Sequence, residues 1–139
     1  MLNFLDANVW LALIWSRHAH SEAARAWFDR AEDEQFLFCR LTQLTVLRLL
    51  TTYQIMGNDT LSLSGAWALW DKVRSDDRIG FLDEPAGLEL EFRSRTRLSS
   101  RSPKLWADAY LLAFAAVGGL RLITFDRALK TRGADVLLL

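Results

Sequence analysis

The sequence predicts an α/β protein, a three-layer α/β/α fold with a central parallel sheet of four to five strands. Three observations lead there. Short apolar runs of strand length recur at residues 2–5, 36–39, 79–82, 121–125 and 135–138. The segments between them carry apolar residues at helical spacing. Strands that alternate with helices form parallel sheets through crossover connections, and the helices then cover both faces. At 139 residues, the chain is expected to be a single domain over 1–139. A domain of that size buries roughly two-thirds of its unfolded surface, enough for a real core.

The first strand, residues 2–5, ends at Asp6. Residues 8–15 and 21–33 are predicted helices around the polar turn Ser16-Arg17-His18, with Ser21 as N-cap of the second. After the strand at 36–39, a helix is expected over 42–54, where Leu44, Leu47 and Leu50 keep helical spacing. Gly57-Asn58-Asp59 reads as a turn, and 62–74 as a helix with Ala66, Leu69, Trp70 and Val73 on one face. After the third strand, Pro85 is placed to start a helix near 86–97, and Asp83 or Glu84 to cap it rather than join a site. Pro103 starts a helix over 104–117 that Gly118-Gly119 ends. Two further strands complete the sheet.

Lys+Arg and Asp+Glu both total 17, so net charge points to no partner. Its distribution is more informative. Asp29, Glu32, Asp33 and Glu34 form an acidic cluster, whereas Arg93, Arg95, Arg97, Arg101 and Lys104 form a basic stretch without acids. Such a stripe can contact phosphate without reading sequence, with Arg40 as a further candidate. Cys39 is the sole cysteine, which rules out an intrachain disulfide and fits a reducing cytoplasmic setting. The N-terminus has no signal-peptide pattern, and no apolar run is long enough to cross a membrane. Most of the six tryptophans are expected in the core or at an interface.

In a parallel α/β sheet, ligands sit at the carboxyl ends of the strands. Asp6 and Asp126 end two predicted strands, and Asp108 lies in the first turns of a crossover helix that starts at the same edge. Converging carboxylates repel, and a divalent cation relieves the repulsion. Oxygen ligands suit Mg²⁺ or Mn²⁺. His18 and His20, far from these acids in sequence, are expected as turn or surface residues.

Four segments, read together, resemble the PIN-domain nucleases, specifically the VapC toxins of bacterial toxin–antitoxin systems. They are Phe4-Leu5-Asp6-Ala7-Asn8-Val9-Trp10, Cys39-Arg40-Leu41-Thr42-Gln43-Leu44, Lys104-Leu105-Trp106-Ala107-Asp108-Ala109-Tyr110-Leu111 and Ile123-Thr124-Phe125-Asp126-Arg127. The resemblance implies a metal-dependent endoribonuclease with Asp6, Asp108 and Asp126 as metal-binding acids. It implies Asn8 and Thr124 as supporting polar residues. It also implies a homodimer and a cognate antitoxin that neutralises the toxin. The family usually carries a fourth acid, a glutamate, where this chain has Gln43. Glutamine keeps a carbonyl oxygen but loses the charge, so metal affinity is expected to fall. The alternative is a catalytically weakened PIN fold that binds RNA or antitoxin. A receiver-like phosphoacceptor domain also gathers aspartates at a sheet edge, but Asp126 stands where it would need a lysine.

Overall fold

The computed structural model describes residues 1–133 and 135–139. Five strands, β1 (Leu2–Leu5), β2 (Gln35–Phe38), β3 (Ile79–Phe81), β4 (Arg121–Thr124) and β5 (Val136–Leu138), lie in the order β3-β2-β1-β4-β5. All neighbouring pairs are parallel, and Phe4 sits opposite Leu37 on one side and Leu122 on the other. Side chains alternate across the sheet. Leu5, Phe36, Phe38 and Ile123 join one core, and Phe4, Leu37, Leu122 and Val136 the other. Both faces are covered, so the strands are continuous apolar runs rather than alternating ones.

The Phe36 face is covered by α1 (Ala7–Ile14), α2 (Ser21–Arg30), α3 (Arg40–Leu50), α4 (Tyr53–Met56) and α5 (Leu63–Arg74). The Phe4 face is covered by α6 (Leu88–Arg95), α7 (Lys104–Gly118) and α8 (Arg127–Lys130). Gly119, at φ 67°, ends α7 in the left-handed conformation that glycine tolerates. Among the described residues, no helix is long and apolar enough to cross a membrane.

Several local expectations are corrected. The 42–54 helix is two helices. The Thr51 and Thr52 hydroxyls donate to the carbonyls of Leu47 and Arg48, at 3.1 and 2.6 Å, which satisfies helix-end acceptors and turns the chain into α4. Gly57–Asp59 forms a short 3₁₀ helix. Ser21 is not a cap. His20 holds that position, and the Ser21 hydroxyl accepts from Arg25 Nε at 3.2 Å. Pro85 does not start α6. Gly87, at φ 87°, precedes it. Neither acid before Pro85 caps it. Glu84 accepts the Tyr110 hydroxyl of α7 at 2.9 Å, and burial, then this bond, push the Tyr110 phenol up so that it stays a donor. Asp83 lines a cleft with Leu2, Gln35 and Pro85.

The amino end of the sheet is tied by Asn3, the second residue of β1, which is fully buried. Its amide donates to the Gln35 carbonyl at 3.1 Å, its oxygen accepts from Arg121 at 2.9 Å, and Arg121 pairs with Glu34 at 3.3 Å. A second anchor precedes β3. Arg78 lies over the Phe28 ring at 4.2 Å, donates to the Ala31 carbonyl at 3.2 Å and pairs with Asp76 at 2.8 Å. The Arg78 hydrogen bond, above other causes, holds the Asp76 carboxyl below its ordinary range. This stability is therefore present above the unfolded aspartate value of ~3.9 and lost as pH falls through the lower folded value. Asp76→Asn is expected to lower Tm at neutral pH, with a gap to wild type that closes in acid. Thermal scans across pH check this, and a gap of constant size contradicts it.

Candidate active site

Asp6 stands one residue past β1. Its N–H donates to the Ile123 carbonyl at 2.9 Å, which carries the β1–β4 pairing to the sheet edge. Its Oδ1 accepts the Ala7 N–H at 2.7 Å and caps α1. Its Oδ2 accepts the Thr124 hydroxyl at 3.0 Å. Thr124 ends β4 and is fully buried. The same hydroxyl oxygen accepts the Asp126 N–H at 3.0 Å, so Thr124 joins the two acids. Asp126 Oδ1 caps α8 by accepting the Ala128 N–H at 2.9 Å, and its Oδ2 lies 3.8 Å from Lys104 Nζ. Lys104 opens α7, and Asp108 follows one turn later on the same side of that helix.

The acids influence one another. Burial raises the Asp6 carboxyl above its ordinary range. The Thr124 and Ala7 bonds oppose this, and Asp108 and Asp126 push it further up. Asp108 is also raised, chiefly by burial and then by Asp126, against the pull of Lys104 and Arg132. Desolvation and like charge both disfavour the anionic form. A cation would reverse both effects. Among the described residues, no three His, Cys, Asp or Glu side chains form a closed ligand cluster. An open edge of this kind still fits Mg²⁺ or Mn²⁺, because such ions keep several waters and take only one or two carboxylates directly.

The remaining candidates divide. Gln43 is buried in the first turn of α3, at the carboxyl end of β2. Arg40 donates a hydrogen bond to its Oε1 and lies over the Phe81 ring at 4.8 Å. The position of the missing acid thus carries a cation on its oxygen. Asn8 is exposed in the first turn of α1, with no side-chain hydrogen bond among the described residues. Arg93 pairs with Glu89 at 3.3 Å. Arg95 pairs with Glu91 at 2.9 Å and donates to the Arg132 carbonyl at 3.2 Å. Arg97 and Arg101 make no ion pair among the described residues.

The histidines do occupy a turn, yet they also reach this edge. The His20 ring stacks on Phe125 at 4.4 Å and 19°, and His18 lies 6.5 Å from the same ring at 25°. Phe125 directly precedes Asp126. Burial, then His20, lowers the His18 imidazole, and its Nδ1 accepts the His20 N–H at 3.0 Å. No local sequence pattern announces this contact.

The PIN domain family matches residues 4–134 of the chain. Ribonuclease VapC41 of Mycobacterium tuberculosis is 43% identical over 133 residues, which span 92% of this chain and 91% of that protein. Two solved structures share the fold. Mycobacterium tuberculosis VapC20, described as a sarcin-ricin loop cleaving toxin, gives a TM-score of 0.68 at 17% identity, over 94% of this chain and 95% of that one. VapBC2 from Rickettsia felis, bound to a DNA fragment from its promoter, gives 0.71 at 12% identity, over 100% and 98%. With this sheet order, and with close relatedness along nearly its whole length, the chain belongs to the PIN-domain family, among the VapC ribonucleases.

Proposed function

We propose that the chain is a metal-dependent endoribonuclease toxin that hydrolyses RNA phosphodiester bonds and is neutralised by a cognate antitoxin. The supporting observation is the Thr124 bridge. It ties Asp6 to Asp126 at the sheet edge, where Asp108 repels both. Asp6, Asp108 and Asp126 are the residues to hold Mg²⁺ or Mn²⁺, since all offer hard oxygen donors. When bound, such an ion activates water and neutralises charge on the phosphodiester. The protein's own part is orientation. Thr124 fixes the Asp6 carboxylate, the Ala7 and Ala128 N–H groups hold one oxygen each of Asp6 and Asp126, and Lys104 adds positive charge beside Asp126. Arg40, Arg97 and Arg101 are suited to phosphate contacts that position RNA.

The reading includes protein partners. Leu44, Tyr53, Leu63 and Trp67, on α3 to α5, are exposed apolar residues suited to an antitoxin segment or a second copy in a homodimer.

The test is cleavage of mixed RNA by the antitoxin-free chain. Activity is expected with Mg²⁺ or Mn²⁺ and none in chelator. Undiminished cleavage in chelator overturns the reading. Gln43→Glu is expected to change the cleavage rate by less than about tenfold, because Arg40 neutralises the new carboxylate. A much larger gain would mean that the three aspartates do not suffice.

A further inference from the structure

Six tryptophans are unevenly placed. Trp10 and Trp70 are buried in the core, whereas Trp106, in the first turn of α7, is 60% exposed. Phe92 of α6 meets the Trp106 ring edge-on at 6.0 Å and 65°, and Phe92 packs in turn on Tyr110 at 5.9 Å. The indole is therefore supported on one side and open to solvent. A cleft lies on either side of it. One, of about 390 Å³, is lined by Phe92, Arg93, Thr96 and Arg97. The other, of about 220 Å³, is lined by Leu98, Arg101, Pro103 and Leu105. Glu89 is the acid of the first cleft and is already paired with Arg93. Arg97 and Arg101 remain without ion-pair partners among the described residues.

Resting on the ribonuclease reading, we infer that Trp106, flanked by Arg97 and Arg101, is a nucleobase-stacking subsite that holds single-stranded RNA across the start of α7 from the acidic edge. An aromatic face accepts any base, and cations alongside it hold the backbone, so binding is sequence-tolerant and salt-sensitive. The subsite and the acids share the N-terminal turns of α7. Trp106 precedes Asp108 by two residues, ~3 Å along the helix axis. Lys104, two residues earlier, reaches Asp126 at 3.8 Å. Two residues apart is about 200° around the helix, so Trp106 faces away from Lys104 and Asp108, and a base stacked on it lies more than one helix diameter, ~10–12 Å, from the acids, with the RNA strand passing over the start of α7 between them. A second copy of the chain is the rival occupant. It would bring the same unpaired arginines against themselves, whereas RNA brings phosphates.

The experiment measures binding of a short mixed-sequence single-stranded RNA to the full chain in chelator, beside an abasic ribose-phosphate oligomer of equal length. Trp106→Ala is expected to weaken RNA binding by about tenfold or more, the scale of one base stacked on an aromatic ring. Trp106→Phe should retain most of the affinity, and the abasic oligomer should not distinguish these variants. Arg97→Gln with Arg101→Gln should lower the salt slope by about 1.4, roughly 0.7 for each phosphate of a single strand that is no longer neutralised. With metal present, Trp106→Ala should raise KM for RNA more than it lowers kcat. Equal RNA binding and cleavage by wild type and Trp106→Ala overturns the subsite and leaves the ribonuclease reading standing. So does a change of oligomeric state in Trp106→Ala with RNA affinity unchanged, which marks the face as an interface between copies. A wild-type chain that neither binds nor cleaves RNA overturns both.

Discussion

Asp6→Asn is expected to abolish RNA cleavage and leave the fold in place. The loss is expected to exceed ~100-fold, because even outer-shell partners of metal ligands cost about 10–100-fold when removed. Asp6 meets Thr124 and the Ala7 N–H, and it feels both other acids. Asparagine keeps an oxygen for the Ala7 N–H, so α1 remains capped. It removes the charge that a cation requires. Stability should move the other way in metal-free protein. Burial raises the folded Asp6 value above the unfolded one, so the folded chain binds the extra proton between the two values. Its contribution to stability then falls as pH rises through that interval, and the cost persists at neutral pH. Metal-free Asp6→Asn is therefore expected to melt at or above wild type at neutral pH. Cleavage retained by a folded Asp6→Asn chain would refute the assignment.

Trp70→Ala is expected to cost ~3–5 kcal/mol, the range for a large aromatic removed from a packed core. Trp70 is 1% exposed. Its ring meets Phe38 of β2 at 4.8 Å and 88°, and Trp10 of α1 at 5.8 Å and 60°. The loss thus reaches both the strand before α3 and the helix that Asp6 caps. A fall in Tm of about 10–20 °C follows for a chain of this length. Trp70→Phe should cost far less. The Trp70 indole N–H is buried with no hydrogen-bond partner among the described residues, so replacing it removes an unsatisfied donor along with some packing. Equal losses in the two variants, read from thermal or denaturant unfolding, would contradict this account of the cluster.

The sheet is legible in the sequence because each of its strands is a short apolar run buried on both faces. Asp6 and Asp126 are legible because an acid at the end of such a run falls at the carboxyl edge of a parallel sheet. Asp108 follows from the Pro103 start of its helix. Thr124 comes through family resemblance, and its structural role, one hydroxyl serving both acids, lies in tertiary geometry that spacing does not carry. The His20–Phe125 stack is invisible for the same reason, since its partners meet only when α2 packs beside the end of β4. The break after Leu50 is hidden because apolar spacing continues through it, while the threonine hydroxyls that end the helix leave no periodic trace. Arg40, expected at phosphate from its charge alone, also lies on Gln43 and Phe81, which no spacing announces.

The most direct measurement is titration calorimetry of Mg²⁺ and Mn²⁺ into the antitoxin-free chain, wild type and Asp6→Asn. Binding by wild type that disappears in Asp6→Asn is the predicted result, and it would establish the acidic edge as a metal site. Equal binding by both proteins, or binding by neither, would contradict it.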